Sequence, residues 1–71
     1  MAHDITSPMV GKIFRIECAV GQQISEGDVV AVLESMKMEM PVEADAAGVV
    51  QAIPVKVDQT VQEGDVLVVL A

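Results

Sequence analysis

An all-β fold, a sandwich or barrel with an internal two-fold repeat, is predicted by three features of this sequence. The interior must come from Val, Ile and Leu, because 52% of the 71 residues are apolar and Phe14 is the one aromatic; β-branched residues favour strands. The apolar runs are short, lack a sustained 3.6-residue period, and are punctuated by Pro8, Pro41 and Pro54. The chain is also written twice. With an offset of 37 residues, "GKIFRIECAVGQQISEGDVVAVLE" from Gly11 lies over "GVVQAIPVKVDQTVQEGDVLVVLA" from Gly48 without a gap, and ten of the 24 pairs are identical.

Each copy has the same order of elements. It opens on Gly and a short apolar-rich run, Ile13 to Ile16 or Val49 to Ile53, followed by a turn near Gly21 or Asp58. One isolated apolar residue comes next, Ile24 or Val61. The shared Glu-Gly-Asp then makes a tight turn, because Gly tolerates positive φ and Asp bonds nearby backbone. A β-rich run closes the copy, "VVAVL" from Val29 or "VLVVL" from Val66. Two copies related by a pseudo-two-fold axis bury their aliphatic side chains against each other. The expected organisation is a flexible N-terminal segment over residues 1–6 and a single domain over 7–71, with halves at about 11–34 and 48–71.

Length and charge narrow the function. Seventy-one residues allow one domain with a barely sufficient core, so a free-standing enzyme is disfavoured. Eleven acids against four bases give a net charge of −7. Lys12, Arg15, Lys37 and Lys56 cannot assemble a groove for phosphates, which argues against nucleic acid, and the acidic surplus favours solubility and partners with basic surfaces. No apolar run approaches the roughly 20 residues that span a bilayer, and "MAHDITSP" has no signal-peptide pattern. Cys18 is the only cysteine. It cannot form an intrachain disulfide and is expected to be a small strand residue in a reducing cytoplasm. His3 is expected in a frayed terminus, with no neighbouring cluster that would suggest a metal.

The segment joining the copies carries the functional signal. Residues Glu34 to Met40 read "ESMKMEM". If Val29–Ser35 and Met38–Val42 are antiparallel neighbours, only Met36 and Lys37 remain to turn the corner. Neither is a favoured residue for positive φ, so a local rule is broken at an exposed tip. The repeat places Lys37 at one end of the body and both termini at the other. A nucleophilic lysine needs desolvation or a nearby cation, and a wet tip with Glu34 and Glu39 facing each other across the hairpin supplies neither. Lys37 is expected to relieve the repulsion between those two acids. What remains is an amine presented for modification by another protein, with adaptable methionine contacts on each side. The plain alternative is an edge strand with Met36, Met38 and Met40 facing the core and Lys37 as a solvated charge.

"ESMKMEM" within a duplicated β unit resembles the biotinyl domains of biotin-dependent carboxylases, in the wider biotinyl/lipoyl attachment family. The likeness runs from "SPMVGKI" at Ser7 to "EGD" and "VLVVL" near the C-terminus. It implies a flattened barrel of two four-stranded antiparallel sheets, with Lys37 as the biotinylated residue. Met36 and Met38 match the flanking recognition positions; Glu34, Ser35 and Glu39 form the hairpin environment. Gly11, Gly27, Gly48 and Gly64 match turn glycines. The gap-free repeat leaves no room between Ile16 and Val20 for the "thumb" that some relatives carry. The resemblance further implies a non-catalytic carrier. A biotin protein ligase acylates Lys37 at the expense of ATP, a biotin carboxylase loads the arm, and a carboxyltransferase unloads it onto an acyl-CoA or keto acid. A lipoyl carrier is the nearest alternative, although its hairpin usually reads Asp-Lys-Ala; a non-carrier docking module is another. The acceptor substrate is not written in the sequence.

Overall fold

The computed structural model describes residues 2–71 as eight strands in two four-stranded antiparallel sheets. They are β1 (His3–Thr6), β2 (Gly11–Ile16), β3 (Gln23–Ile24), β4 (Val29–Ser35), β5 (Met38–Glu43), β6 (Gly48–Ala52), β7 (Thr60–Val61) and β8 (Val66–Leu70). None of the described residues forms a helix, so no helix is long and apolar enough to cross a membrane. One sheet runs β5-β4-β2-β7 and the other β1-β8-β6-β3. With β1–β4 as one copy of the repeat and β5–β8 as the other, each sheet takes two strands from each copy: a central pair from one, flanked by an outer strand and a two-residue strand from the other.

The repeat holds down to single pairings. Ile13 faces Leu33 and, past a bulge, Arg15 faces Val32; at the same offset Val50 faces Leu70 and Ala52 faces Val69. The bulge between Val29 and Ala31 against β5 recurs between Val66 and Val68 against β1. A bulge inserts one unpaired residue and increases local twist. Here it turns Val30 and Leu67 into the interior, where both are fully buried. The borrowed strands obey the same relation, Gly11 opposite Val61 and Gly48 opposite Ile24.

The core is aliphatic and symmetric. Ile13 and Val50, Ile24 and Val61, Leu33 and Leu70, and Ile5 and Val42 are buried as equivalent pairs in one cluster. Cys18 packs against this cluster at the position equivalent to Val55, and burial pushes its thiol up. That is the behaviour of a small apolar residue, although Cys18 lies in the connection after β2 and not in a strand as expected. Phe14 stays on the surface, with the Arg15 guanidinium carbon 5.5 Å from its ring centroid. The connection from β2 to β3 covers only residues 17–22, which leaves no space for a protruding element.

The N-terminal expectation is corrected. His3–Thr6 is a paired strand against β8, not a flexible or frayed segment. Its anchor is Ile5, buried where the other half has Val42. The His3 ring, protonated at Nε2, donates a 2.7 Å hydrogen bond to Asp45 Oδ1. That bond ties β1 to the loop after β5.

Turn chemistry repeats as well. Ser25 N–H donates to Asp28 Oδ2 at 2.9 Å and Gln62 N–H to Asp65 Oδ2 at 2.8 Å. Between them Gly27 and Gly64 hold φ of 93° and 90°. Their N–H groups donate to the Ala44 and Ser7 carbonyls, 2.8 and 2.9 Å away, which locks the two halves together.

Two predictions follow from this framework. Gly27→Ala and Gly64→Ala each force an L side chain into the left-handed region and should cost about 1–2 kcal/mol. Thermal melting should show similar losses for the two, each at least about 4 °C; wild-type melting of either variant would contradict the turn geometry. The second concerns pH. The hydrogen bond from His3, first, outweighs an opposing desolvation and, with the field of that ring and a backbone hydrogen bond, lowers the pKa of Asp45 from its ordinary value. A lowered carboxylate pKa contributes stability above the unfolded value and loses it as pH falls through the folded value. Carboxyl-carbon NMR titration should therefore find the Asp45 midpoint higher in His3→Ala than in the wild type; equal midpoints would exclude the link.

Candidate functional site

The register of the β4–β5 ladder builds the site. Leu33 faces Met40, Glu34 faces Glu39 and Ser35 faces Met38, which leaves Met36 and Lys37 as the two-residue loop. Both have positive φ, 51° and 66°. Positive φ at both central positions is what a type I′ turn requires, and its twist matches that of the flanking strands. A non-Gly residue in this conformation costs about 1–2 kcal/mol. Besides Asp58, these are the only described non-Gly residues in that region. In the other half the pairing equivalent to Leu33–Met40 is Leu70–His3, beside the two termini. The hairpin tip is thus the part of the body with no repeated counterpart.

The tip is wet. Lys37 is exposed, and Met36 and Met38 expose 92% and 72% of their surface. These values exclude the plain edge-strand reading, in which Met36, Met38 and Met40 face the core. Only Met40, at 40%, is substantially covered. No carboxylate lies within ion-pair distance of Lys37 among the described residues, whose ion pairs are His3–Asp45, Lys12–Asp58 and Arg15–Glu17. The expected relief of the Glu34–Glu39 repulsion by a direct Lys37 contact is therefore absent. The cation in register with the acids is Lys12, directly opposite Glu34 on β2, which gives the row Lys12, Glu34, Glu39 across three strands.

The core-facing side of the hairpin continues past the end of the core. Leu33 is fully buried; Met40, Met38 and Ser35 extend the same side beyond it. With Met9 they line an apolar groove of about 170 Å³ beside the turn. Met9 was not singled out from sequence, where it lies 28 positions before Lys37. The available signal was its place just before the first repeat, in the connection that brings β1 back to β2. A second cleft, of about 240 Å³, lies between the edge strands β1 and β5, with Pro8, Pro41 and Val42 in its wall. None of its lining belongs to the tip, and it holds no cluster suited to chemistry.

Comparison with known proteins gives a consistent picture. A family described as "biotin-requiring enzyme" matches residues 3–70. The biotinylated protein TB7.3 homolog of Mycobacterium leprae is 41% identical over 71 residues, covering all of both chains. The biotin carboxyl carrier protein of acetyl-CoA carboxylase from Solanum lycopersicum is 43% identical over 60 residues, 84% of this chain and 86% of that protein. Among solved structures, the Kluyveromyces lactis urea carboxylase superposes with a TM-score of 0.92 at 34% identity, over 100% of this chain and 6% of that one.

The turn geometry yields its own prediction. Asn tolerates the left-handed region, so Met36→Asn should stabilise the chain by up to about 1 kcal/mol. For a domain of this size that is a rise of about 4–8 °C in melting temperature. An unchanged or lower value would show that the Met36 turn stores no strain.

Proposed function

This chain belongs to the biotin-requiring enzyme family, and on that premise we propose that it is the biotin carboxyl carrier of a biotin-dependent carboxylase, with Lys37 as the attachment residue. One observation carries the assignment of the residue: Lys37 stands at a two-residue turn of positive φ, exposed, between two methionines that are also exposed. An amine on a rigid tip can be enclosed from several sides with little ordering cost. It suits an acceptor that a modifying enzyme must reach. Lys12 lies within a sheet and has an ion-pair partner 3.7 Å away.

The residues fit the group. The Lys37 amine forms an amide with the carboxyl of biotin, and acylation removes its positive charge. Bound biotin supplies a ureido nitrogen that takes up and gives up a carboxyl group. The chain's own residues hold and present the arm: the β4–β5 ladder sets where Lys37 stands, and Met36 and Met38 offer adaptable apolar contacts to successive partners. Those partners are a biotin protein ligase for attachment, then a biotin carboxylase and a carboxyltransferase. The chain performs no bond-making of its own. We place this carrier in the cytoplasm, serving acyl-CoA or keto-acid carboxylation such as that of fatty acid biosynthesis.

Incubation of the full chain with a biotin ligase, biotin and ATP should add one biotinyl group by intact mass. Lys37→Arg should add none, while Lys12→Arg and Lys56→Arg should be modified as the wild type is. Preferential modification by a lipoate ligase would instead make it a lipoyl carrier. Carboxylation supported by Lys37→Ala would make it a docking module.

A further inference from the structure

Beyond the partner contacts given to Met36 and Met38, the methionine groove beside the tip is unused in the function above, yet its position is specific. It is the continuation of the core-facing side of the hairpin, with Met38, Met40 and Ser35 on one wall, and Met9 reaching in from outside the hairpin. Met9 itself is half-buried and packs against the core cluster, so it is a fixed wall of the groove and not a loose surface side chain. Two residues that line the groove, Met36 and Met38, are the immediate neighbours of Lys37.

We propose that this groove is the resting seat of the biotin arm: the fused heterocycle, with its thioether and aliphatic chain, folds back from Lys37 onto Met9, Met38 and Met40 when no partner holds it. This inference rests on the carrier reading of Lys37.

Three observations select this occupant. The first is size. At about 170 Å³ the groove is smaller than the roughly 300–1,000 Å³ of sites for drug-sized ligands, and suits part of one small bicyclic group. A protein partner would need to bury on the order of 1,000 Å² to dock stably. The second is chemistry. Thioether and methylene surfaces pack adaptably against irregular apolar shapes, and the polar edge at Ser35 and Glu39 can face a ureido group. The third is tethering. A group attached within one residue of the groove wall meets it at an effective concentration on the order of millimolar. A contact too weak to detect between free molecules is then substantially populated. The same weakness lets partner enzymes lift the arm away.

The test uses the full-length chain with carbon-13 methyl labels on methionine, in three forms made by total chemical synthesis: unmodified, Nε-acetylated at Lys37, and Nε-biotinylated at Lys37. Acetylation removes the charge without adding a ring. The Met9 and Met40 methyl resonances should move severalfold more in the biotinylated form than in the acetylated form. They should also show nuclear Overhauser contacts to the ring protons. In biotinylated Met9→Gln, the Met40 resonance should shift back toward its position in the acetylated form. Coincident Met9 and Met40 signals in the acetylated and biotinylated forms would overturn the seat, because the arm would then stay in solvent. Synthesis makes the outcome independent of any ligase. Failure of a ligase to modify Lys37 sinks the carrier reading, and the spectra alone decide the groove.

Discussion

The register between β4 and β5 is the constraint from which the site follows. Val30, Ala31, Val32 and Leu33 are all buried, and β5 is held to them from Glu43 to Met38. A slip by one residue would turn Leu33 and Val42 out of the core, so the pairing has no neighbouring alternative of similar energy. With that ladder fixed, two residues are left to reverse the chain, and the type I′ turn formed here requires positive φ at both. Met36 and Lys37 take that conformation although Asn-Gly would take it at lower cost. The strain at the tip is thus imposed by the core, which is stable enough to hold it.

The core can do so because the two halves are inseparable. Each sheet is a central pair from one copy edged on both sides by strands of the other, and the glycine N–H groups of each Glu-Gly-Asp turn bond across to the other copy's connection. An isolated copy would keep only its central β2–β4 or β6–β8 pairing and lose most of its buried partners, and an isolated two-stranded pair is marginal. Duplication therefore supplies more than size. It closes a chain of 71 residues around one aliphatic cluster with no aromatic residue in it.

Much of this was legible in the sequence because the repeat constrains both halves at once. Matching Ile13 to Val50 and Leu33 to Leu70 identified the core, and the unmatched segment identified the tip. The strand at His3–Thr6 was missed because local signals there are weak: Ile5 alone is buried, and the ladder to β8 makes the strand. The clue lay in the repeat, since Ile5 stands where the second copy has Val42. The bulges were invisible because an inserted residue changes the facing of side chains without changing composition. Met9 was missed because its approach to the hairpin depends on how the β1–β2 connection folds. The acidic pair was foreseen, whereas its in-register cation, Lys12, comes from a strand that only the sheet order brings alongside.

The distribution of buried residues separates stability from function. Every member of the core cluster lies outside Glu34–Met40, and within that segment the most covered methionine still exposes two fifths of its surface. The tip can therefore be chemically specialised with little loss to the fold that holds it. It also suits the carrier role proposed above, in which several proteins would handle the tip in turn, because a surface shaped for one partner would exclude the next. Exposed methionines on a rigid turn meet both demands: the backbone fixes where the amine stands, and the thioethers adapt to whatever encloses it.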